Sequence, residues 1–386
     1  MTISAEKSIP VLDLHRQYAE IKDEVLAAIE RVCASQQLIL GPEGSALERE
    51  ISLFTGAADA VACASGTDAL WLSLLAAGIH PGDAVITTPF SFFASASSIV
   101  RAGATPIFAD VDPATLNVDP KEIRRCCGRR RHEPPAPKAI LAVHLYGQCA
   151  AVDEIEQIAG EHQLAVIEDS AQAIGARWRD RNAGSMGLCA AFSFYPSKNL
   201  SAFGDAGIAT TQDPERAAHM RRLRSHGSPE RYLHTEFGWN ARMDEIQAAV
   251  LRVKLKYVAG WNQQRRERAA TYSRLLAEAG LSAPAGAPIQ ALSTAKEALH
   301  VFHQYVVRAA RRDELRTFLS ARGISTEVYY PIPLHLQPVF KYLGYKEGDL
   351  PESERAAREV LALPMFPQLT IEEQQRIVAA IAEFFS

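Results

Sequence analysis

Four groups of residues in this 386-residue chain are of the types that do chemistry together: Lys198, the pair Glu168-Asp169, Ser193, and the turn Ser65-Gly66-Thr67. Lys198 lies in Ser193–Gly207, SFYPSKNLSAFGDAG, where charges are few and apolar or small residues many. A lysine held in such surroundings loses hydration, its pKa falls, and the neutral amine becomes a nucleophile. Taken alone, Lys198 reads as a solvated surface group, so the rest of the chain must supply the reason for another reading. Asp169 follows the apolar run Leu164–Ile167 and Glu168. It can cap the following turn, or it can be a buried carboxylate facing a cation. A heteroaromatic N–H⁺ is a natural partner, because the carboxylate keeps the ring nitrogen protonated and the ring then draws electrons from a carbanion. Ser65-Gly66-Thr67 opens a helix directly after a strand, where free N–H groups and the helix dipole favour a phosphate. A plain serine cap is the alternative there.

These residues need elements to position them. Leu12 to Ser35 and Glu43 to Phe54 have helical spacing, and from there strand, turn and helix alternate. Strands are expected at Ala60–Ala64, Ala84–Thr88, Thr105–Ala109, Ala139–His144, Leu164–Glu168, Ala190–Tyr195 and Gly207–Thr211. Apolar runs separated by helices mean an α/β fold, a mostly parallel seven-stranded sheet covered on both faces. Ligands of such sheets sit at the carboxyl ends of the strands. Ser65, Phe90 to Phe93, His144, Asp169 and Ser193 with Lys198 stand at five of those ends. A long helix from Asp244 through Ala279 leads to a loop at Ser282–Thr294. An extended run (Val301–Val307), a helix (Glu314–Arg322), a short strand (Ser325–Tyr329) and a closing helix (Ile371–Phe385) follow. The expected division is a large domain over 1–245, with its N-terminal helical segment, and over 246–386 a bridging helix with a small C-terminal α+β domain. A phosphate anchor, a ring-nitrogen partner and a strand-end lysine are together the parts needed for pyridoxal 5'-phosphate. Phe92 could stack on its ring or serve as a core aromatic.

Composition narrows the field. The chain is 47% apolar and 22% charged with a net charge of -4, which argues against nucleic acid as the main partner. The run Arg129 to Arg131, in a Pro-rich segment, reads as a solvated loop. No GxGxxG follows a strand and no GxxxxGK[ST] is present, so dinucleotide and P-loop readings fall away. The six cysteines have no CxxC spacing or paired framework; buried thiols in a reducing compartment are expected, and no metal site. With no apolar segment of signal-peptide or bilayer-spanning length, no membrane contact and a cytoplasmic location are expected.

Motifs along nearly the whole chain then carry a resemblance. They are IPVLDL, LILGPEGSALEREI, ASGTDAL, ITTPFSFFAS, PIFADVDPATLNVDP, VHLYGQ, IEDSAQAIGA, SFYPSKNLSAFGDAG, FGWNARMDEIQAAVL and YYPIPLHLQ. In this order they resemble the DegT/DnrJ/EryC1/StrS sugar aminotransferases, within the fold-type-I (aspartate aminotransferase-like) pyridoxal phosphate enzymes. The resemblance implies that Lys198 forms the Schiff base, Asp169 binds the pyridine nitrogen and Gln172 lies near the ring's phenolic oxygen. Gly66, Thr67 and Ser193 would hold the phosphate, and Asn240 would reach the cofactor phosphate of the neighbouring subunit in a homodimer. It also implies two half-reactions, in which glutamate gives up its amino group and a keto sugar linked to a nucleotide receives it, with Lys198 carrying the proton.

Substrate hints rest on the same resemblance. Gly204-Asp205-Ala206-Gly207 places the chain with relatives that aminate C3 rather than C4 of the sugar. Tyr195, His335 and Arg231 are candidates for substrate contacts, Arg231 having a bland reading as a surface charge. Three departures stand out: Gln37-Leu38 where an aromatic pair is usual, Ser201 where glycine follows Asn-Leu, and an apparent insertion at Arg124–Pro137. The alternatives are a 4-keto sugar aminotransferase, a lyase or dehydratase on the same scaffold, and a non-catalytic regulatory relative. Relatives that dehydrate carry His where Lys198 stands.

Overall fold

The computed structural model describes residues 8–130, 135–282 and 286–386. A seven-stranded sheet holds β1 (Asp59–Cys63), β2 (Ala84–Thr87), β3 (Thr105–Phe108), β4 (Pro137–Val143), β5 (Ala165–Asp169), β6 (Cys189–Ser193) and β7 (Gly207–Thr211). Their order is β1-β7-β6-β5-β4-β2-β3, and within this sheet β7 alone runs against its neighbours. The α/β sheet expected from the apolar runs is therefore present, and the carboxyl ends of six strands open on one edge.

Eight helices accompany it: α1 (Leu14–Ser35), α2 (Pro42–Thr55), α3 (Gly66–Ala76), α4 (Ala94–Arg101), α5 (Pro120–Arg130), α6 (Val152–His162), α7 (Pro214–Leu223) and α8 (Glu245–Glu278). Successive strand residues point to opposite faces, and the two faces have separate cores. Val61, Val85, Leu141, Ile167 and Ala191 pack under α3, α4 and α7. On the other face Ala60, Ala62, Phe192 and Ile208 meet α2 and α8, while Ile86, Ile140 and Val166 meet α5 and α6. Ile21, Val25, Ala28 and Val32 of α1 bury their stripe against Ala249, Val250, Val253 and Trp261 of α8.

The last turns of α8 enter a second core with β8 (Ile289–Ala291), β9 (Tyr305–Ala309), α9 (Arg312–Ala321), α10 (Pro351–Glu359), β10 (Val360–Leu363) and α11 (Ile371–Phe385). These three strands form an antiparallel sheet in the order β8-β9-β10. Ile9 joins this unit by pairing with Ile324.

Four expectations change. Ser282–Thr294 is not all loop: Ile289 is buried and β8 completes the small sheet. The strand expected at Ser325–Tyr329 reduces to one bridge, Glu327 with Ala362, because Pro331 and Pro333 follow and cannot donate to a ladder. The extended run Val301–Val307 is a strand only from Tyr305. The segment read as an insertion begins inside α5, whose Ile123, Cys126 and Cys127 are buried at helical spacing. Arg129 and Arg130 belong to the end of that helix; Arg131 and the rest of the Pro-rich stretch to 134 lie outside the described residues.

Candidate active site

The two carboxylates that end β5 serve different purposes. Glu168 is buried and accepts from the N–H groups of Gly184 (2.9 Å), Met186 (2.8 Å) and Gly187 (2.8 Å). His144 Nε2 lies 3.0 Å from Glu168 Oε2, and His144 Nδ1 accepts from the Ala150 N–H at 3.1 Å, which puts the ring proton on Nε2. Burial works to raise the Glu168 pKa, but His144 and the Gly187 and Gly184 N–H groups outweigh it and hold it below the usual carboxylate range. Glu168 is thus a tether for the loop before β6.

Asp169, one residue on, points the other way. It is 4% exposed, accepts from Ser95 Oγ at 2.7 Å and from the Ala171 N–H at 3.2 Å, and Ser95 in turn meets Ser91 Oγ at 2.8 Å. Burial pushes its pKa up; Ser95, Ala171 and the charge of Lys198 oppose this without cancelling it. A buried carboxylate with two neutral donors is short of a cation.

Lys198 follows β6. Its loop is pinned at both ends, since the Phe194 N–H donates to Ala206 O and the Ala202 N–H to Phe194 O, each at 2.8 Å. The Lys198 N–H donates to Tyr195 O at 2.8 Å, and the Asn199 amide reaches Asn262 Oδ1 (2.8 Å) and Val301 O (3.2 Å). Burial lowers the Lys198 pKa to about 8, with Asp169 pulling against it. The two groups act on each other electrostatically from adjacent strand ends.

The third part is at the start of α3. Ser65 caps the helix, its Oγ accepting from the Asp68 N–H at 3.1 Å. The first N–H groups of a helix have no intrahelical partner, so those of Gly66 and Thr67 remain available. Backbones crowd here: a Cβ on Gly66 would lie 2.5 Å from Ser193 Cβ, and one on Gly207 would lie 2.3 Å from Ser65 O. Glycine at 66 and 207 lets the helix start and the ends of β6 and β7 close into one cradle, with the Ser193 hydroxyl beside it. The last glycine of Gly204–Gly207 therefore has a packing role of its own.

Other predicted residues divide. Gln172 is buried; its Oε1 accepts from the Tyr146 N–H at 2.6 Å and its Nε2 donates to Tyr330 Oη at 3.1 Å. Phe92 is 59% exposed, with its ring 6.3 Å from that of Tyr330, so it is a surface ring at the strand ends and not a core aromatic. Tyr195 is 55% exposed next to the lysine loop. His335 departs from its expected place: its side chain is fully buried, Nε2 lies 3.1 Å from Glu354 Oε1, and burial lowers its pKa. Packed in this way it braces a loop and offers no free face to a substrate. Arg231 and Asn240 are exposed, Arg231 over the Tyr232 ring and Asn240 accepting from Arg242 Nε at 3.1 Å. Neither is brought to the Lys198 cluster within this chain. Sequence reasoning missed Ser95 and Tyr330. The serines at 91 and 95, four residues apart where the chain turns from β2 into α4, were the available signal for the first; Tyr330 had none.

Comparison with known proteins bears on the family and the fold. The chain is 48% identical to a pleiotropic regulatory protein of Geobacillus stearothermophilus, over 98% of this chain and 99% of that one. It is 42% identical to a dTDP-3-amino-3,4,6-trideoxy-alpha-D-glucose transaminase of Streptomyces venezuelae, over 97% and 96%. The crystal structure of S. venezuelae DesV in complex with a ketimine intermediate superposes with a TM-score of 0.92 at 41% identity, covering 98% of each chain. The DegT/DnrJ/EryC1/StrS aminotransferase family model matches residues 19–382, and the chain belongs to that family.

Proposed function

We propose that this protein is a pyridoxal-phosphate-dependent aminotransferase that moves the amino group of glutamate to a keto carbon, C3 in preference to C4, of a nucleotide-linked sugar. One observation carries the reading: a desolvated lysine and a buried carboxylate short of a cation occupy neighbouring strand ends, with the close-packed start of α3 on the same edge. The residues present fit the cofactor. Gly66, Thr67 and Ser193 would take its phosphate, Asp169 its ring nitrogen, and Lys198 its aldehyde carbon. When bound there, pyridoxal phosphate supplies an electron sink for the carbon that bears the transferred nitrogen.

The chain's own groups do the rest. Asp169, held by Ser95 and Ala171, keeps a proton on the ring nitrogen it faces. Lys198, its pKa lowered by burial to about 8, gives up its proton more readily than an ordinary lysine, so its neutral amine can take the proton from the donor's α-carbon and return it one position away. Gln172, fixed between Tyr146 and Tyr330, closes the far side. Gly204–Gly207 and the 3-amino sugar in the name of the Streptomyces relative support C3. We take Asn240 to act across a homodimer, supported by its exposure beside Phe237, which is 90% exposed. The cytoplasm is its proposed place, supported by five buried free thiols; among the described residues no helix is long and apolar enough to cross a membrane.

The test is a panel of nucleotide-linked 3-keto and 4-keto sugars incubated with glutamate and read by mass. An amine product from the 3-keto member supports the proposal; loss of water without amino transfer would support the dehydratase reading instead. The regulatory name of the Geobacillus relative favours a second reading, a binding protein. A purified protein that takes up no pyridoxal phosphate and aminates no member of the panel would favour that one.

A further inference from the structure

Lys254 is a second buried lysine, and nothing in the reaction uses it. It sits on the face of α8 that looks toward the Lys198 loop and is 4% exposed. Its Nζ donates to Ser201 Oγ at 3.0 Å and lies 4.8 Å from the centre of the Phe203 ring. Among the described residues it makes no ion pair. An ammonium taken from water without a counter-charge is costly, and proteins normally pair it. Here burial alone moves its pKa down, to about 8.

The space next to Lys254 is open. A cavity of about 270 Å³ lies between the first turn of α1, the loop after Lys198 and α8. Its lining includes Gln17, Tyr18, Pro196, Ser201, Phe203 and Lys254, with His15 at the α1 side and no Asp or Glu. Gln17 is 6% exposed and its amide has no hydrogen-bond partner among the described residues. The ring of Tyr18 stands edge-on to that of Phe203, with centroids 5.7 Å apart. Ser201 accepts from Lys254, so its own O–H proton is left to donate. Lys254, Ser201, Gln17, Tyr18 and His15 can all donate, and no acceptor of full charge is present. At about 30 Å³ per water, the cavity has room for about nine waters, or for one small anion that keeps several waters around it.

We propose that this cavity is a binding site for a small oxyanion, phosphate or carboxylate, with the Lys254 ammonium as its counter-charge and Ser201 and Gln17 as neutral donors. The site goes beyond the aminotransferase reading and does not depend on it. It gives a reason for serine at position 201, where the resemblance leads to glycine: a hydroxyl there both holds Lys254 and offers a proton to the ligand. Because Pro196, Ser201, Ala202 and Phe203 belong to the loop that carries Lys198, an anion here ties that loop to α1 and α8.

The experiment is calorimetric titration of the cofactor-loaded protein with inorganic phosphate and, separately, with malonate. Cofactor loading fills the Gly66–Ser193 cradle and removes it as a competing phosphate site. Saturable binding of one equivalent per chain is expected for at least one of the two, and the pair separates a phosphate ligand from a carboxylate one. Lys254→Met should weaken it about tenfold or more, the size of a lost charged hydrogen bond. Gln17→Leu, which keeps the lysine and guards against misfolding of the first variant, should weaken it several-fold. Lys256→Met, an exposed neighbour on the same helix, should change nothing. Binding that survives Lys254→Met and Gln17→Leu unchanged, or no saturable binding of either anion, would overturn the proposal.

Discussion

The strand-end cluster of Ser95, Asp169, Ser193 and Lys198 and the surface loop over residues 228–240 are built on opposite terms. In the cluster each polar group is buried or half-buried: Ser193 ends β6 and Lys198 follows it, Asp169 ends the neighbouring β5, and Ser95 at the start of α4 donates to Asp169. In the loop, Arg231 and Asn240 are exposed and bond only to near neighbours, Tyr232 and Arg242, while Tyr232 and Phe237 stand out into solvent. Buried polar groups must find partners or shift their pKa values, so the cluster's chemistry is set by one chain. Exposed groups carry no such constraint. Their roles depend on what they meet: a sugar nucleotide or a second copy of the chain.

The comparison breaks first at Lys198. Lys198→Ala is expected to lower amino transfer by about 10³-fold or more, since it removes the proton carrier, while circular dichroism stays that of the wild type. In the wild-type protein stripped of cofactor, the rate of pyridoxal phosphate uptake should rise as pH rises through about 8. The sign follows from the reacting form: the neutral amine attacks, and it is populated above the pKa. Uptake that instead climbs toward the ordinary lysine value near 10.5 would show that the amine is not desolvated.

Glu168 and Asp169 sharpen the comparison within the cluster itself. Asp169→Asn should reduce transfer about 10²-fold, in line with the loss of a preorganised charge, yet cost little stability, because burial already disfavours that charge. Glu168→Gln should do the reverse. It disturbs a buried carboxylate that serves His144 and three backbone N–H groups, at a cost of about 3 kcal/mol in urea unfolding, with the folded fraction still active. The linkage has a sign as well: Glu168 has a depressed pKa, so its stabilisation is present at neutral pH and disappears as pH falls through the carboxylate range. An Asp169 variant that unfolds, or a Glu168 variant that is stable and dead, would reverse the assignment.

How far these features could be read from the sequence follows the same division. The seven strands were legible because β1 to β7 are continuous apolar runs between turns, and α6, β7 and α11 have the boundaries their patterns imply. Lys198, Asp169, Gly66 and Ser193 were legible because strand ends gather at one edge of such a sheet. What escaped was decided by tertiary contact. β8 is three residues in an Ala- and Pro-rich stretch, and only pairing with β9 makes it a strand. α5 and α7 did carry signals, in the spacing of Ile123, Cys126 and Cys127 and in the Asp213-Pro214 cap, but arginine-rich composition obscured them. His335 looked available in PLHLQ; Glu354, which holds it, is 19 residues away and invisible to a local reading.

Asn240 tests the boundary between the two regions. If it completes a neighbouring site, Asn240→Ala should speed loss of pyridoxal phosphate from the dimer by about tenfold, the value of one hydrogen bond to a charged group, with the difference between wild type and variant shrinking as protein concentration falls and dimers part. A loss rate that does not change would return Asn240 to the surface loop as an ordinary polar residue.

Arg231 should show the smallest effect and is the most useful for that reason. Its guanidinium is exposed over Tyr232, so a contact with the substrate's phosphates would be screened by water and by salt. Arg231→Ala is therefore expected to raise KM for the nucleotide sugar by up to about fivefold, to leave kcat unchanged, and to leave KM for glutamate unchanged. Raising ionic strength should shrink the difference between wild type and variant. A fall in kcat, or an equal change for both substrates, would mean that Arg231 is drawn into the strand-end cluster when substrate binds, and the two regions would then have to be treated as one.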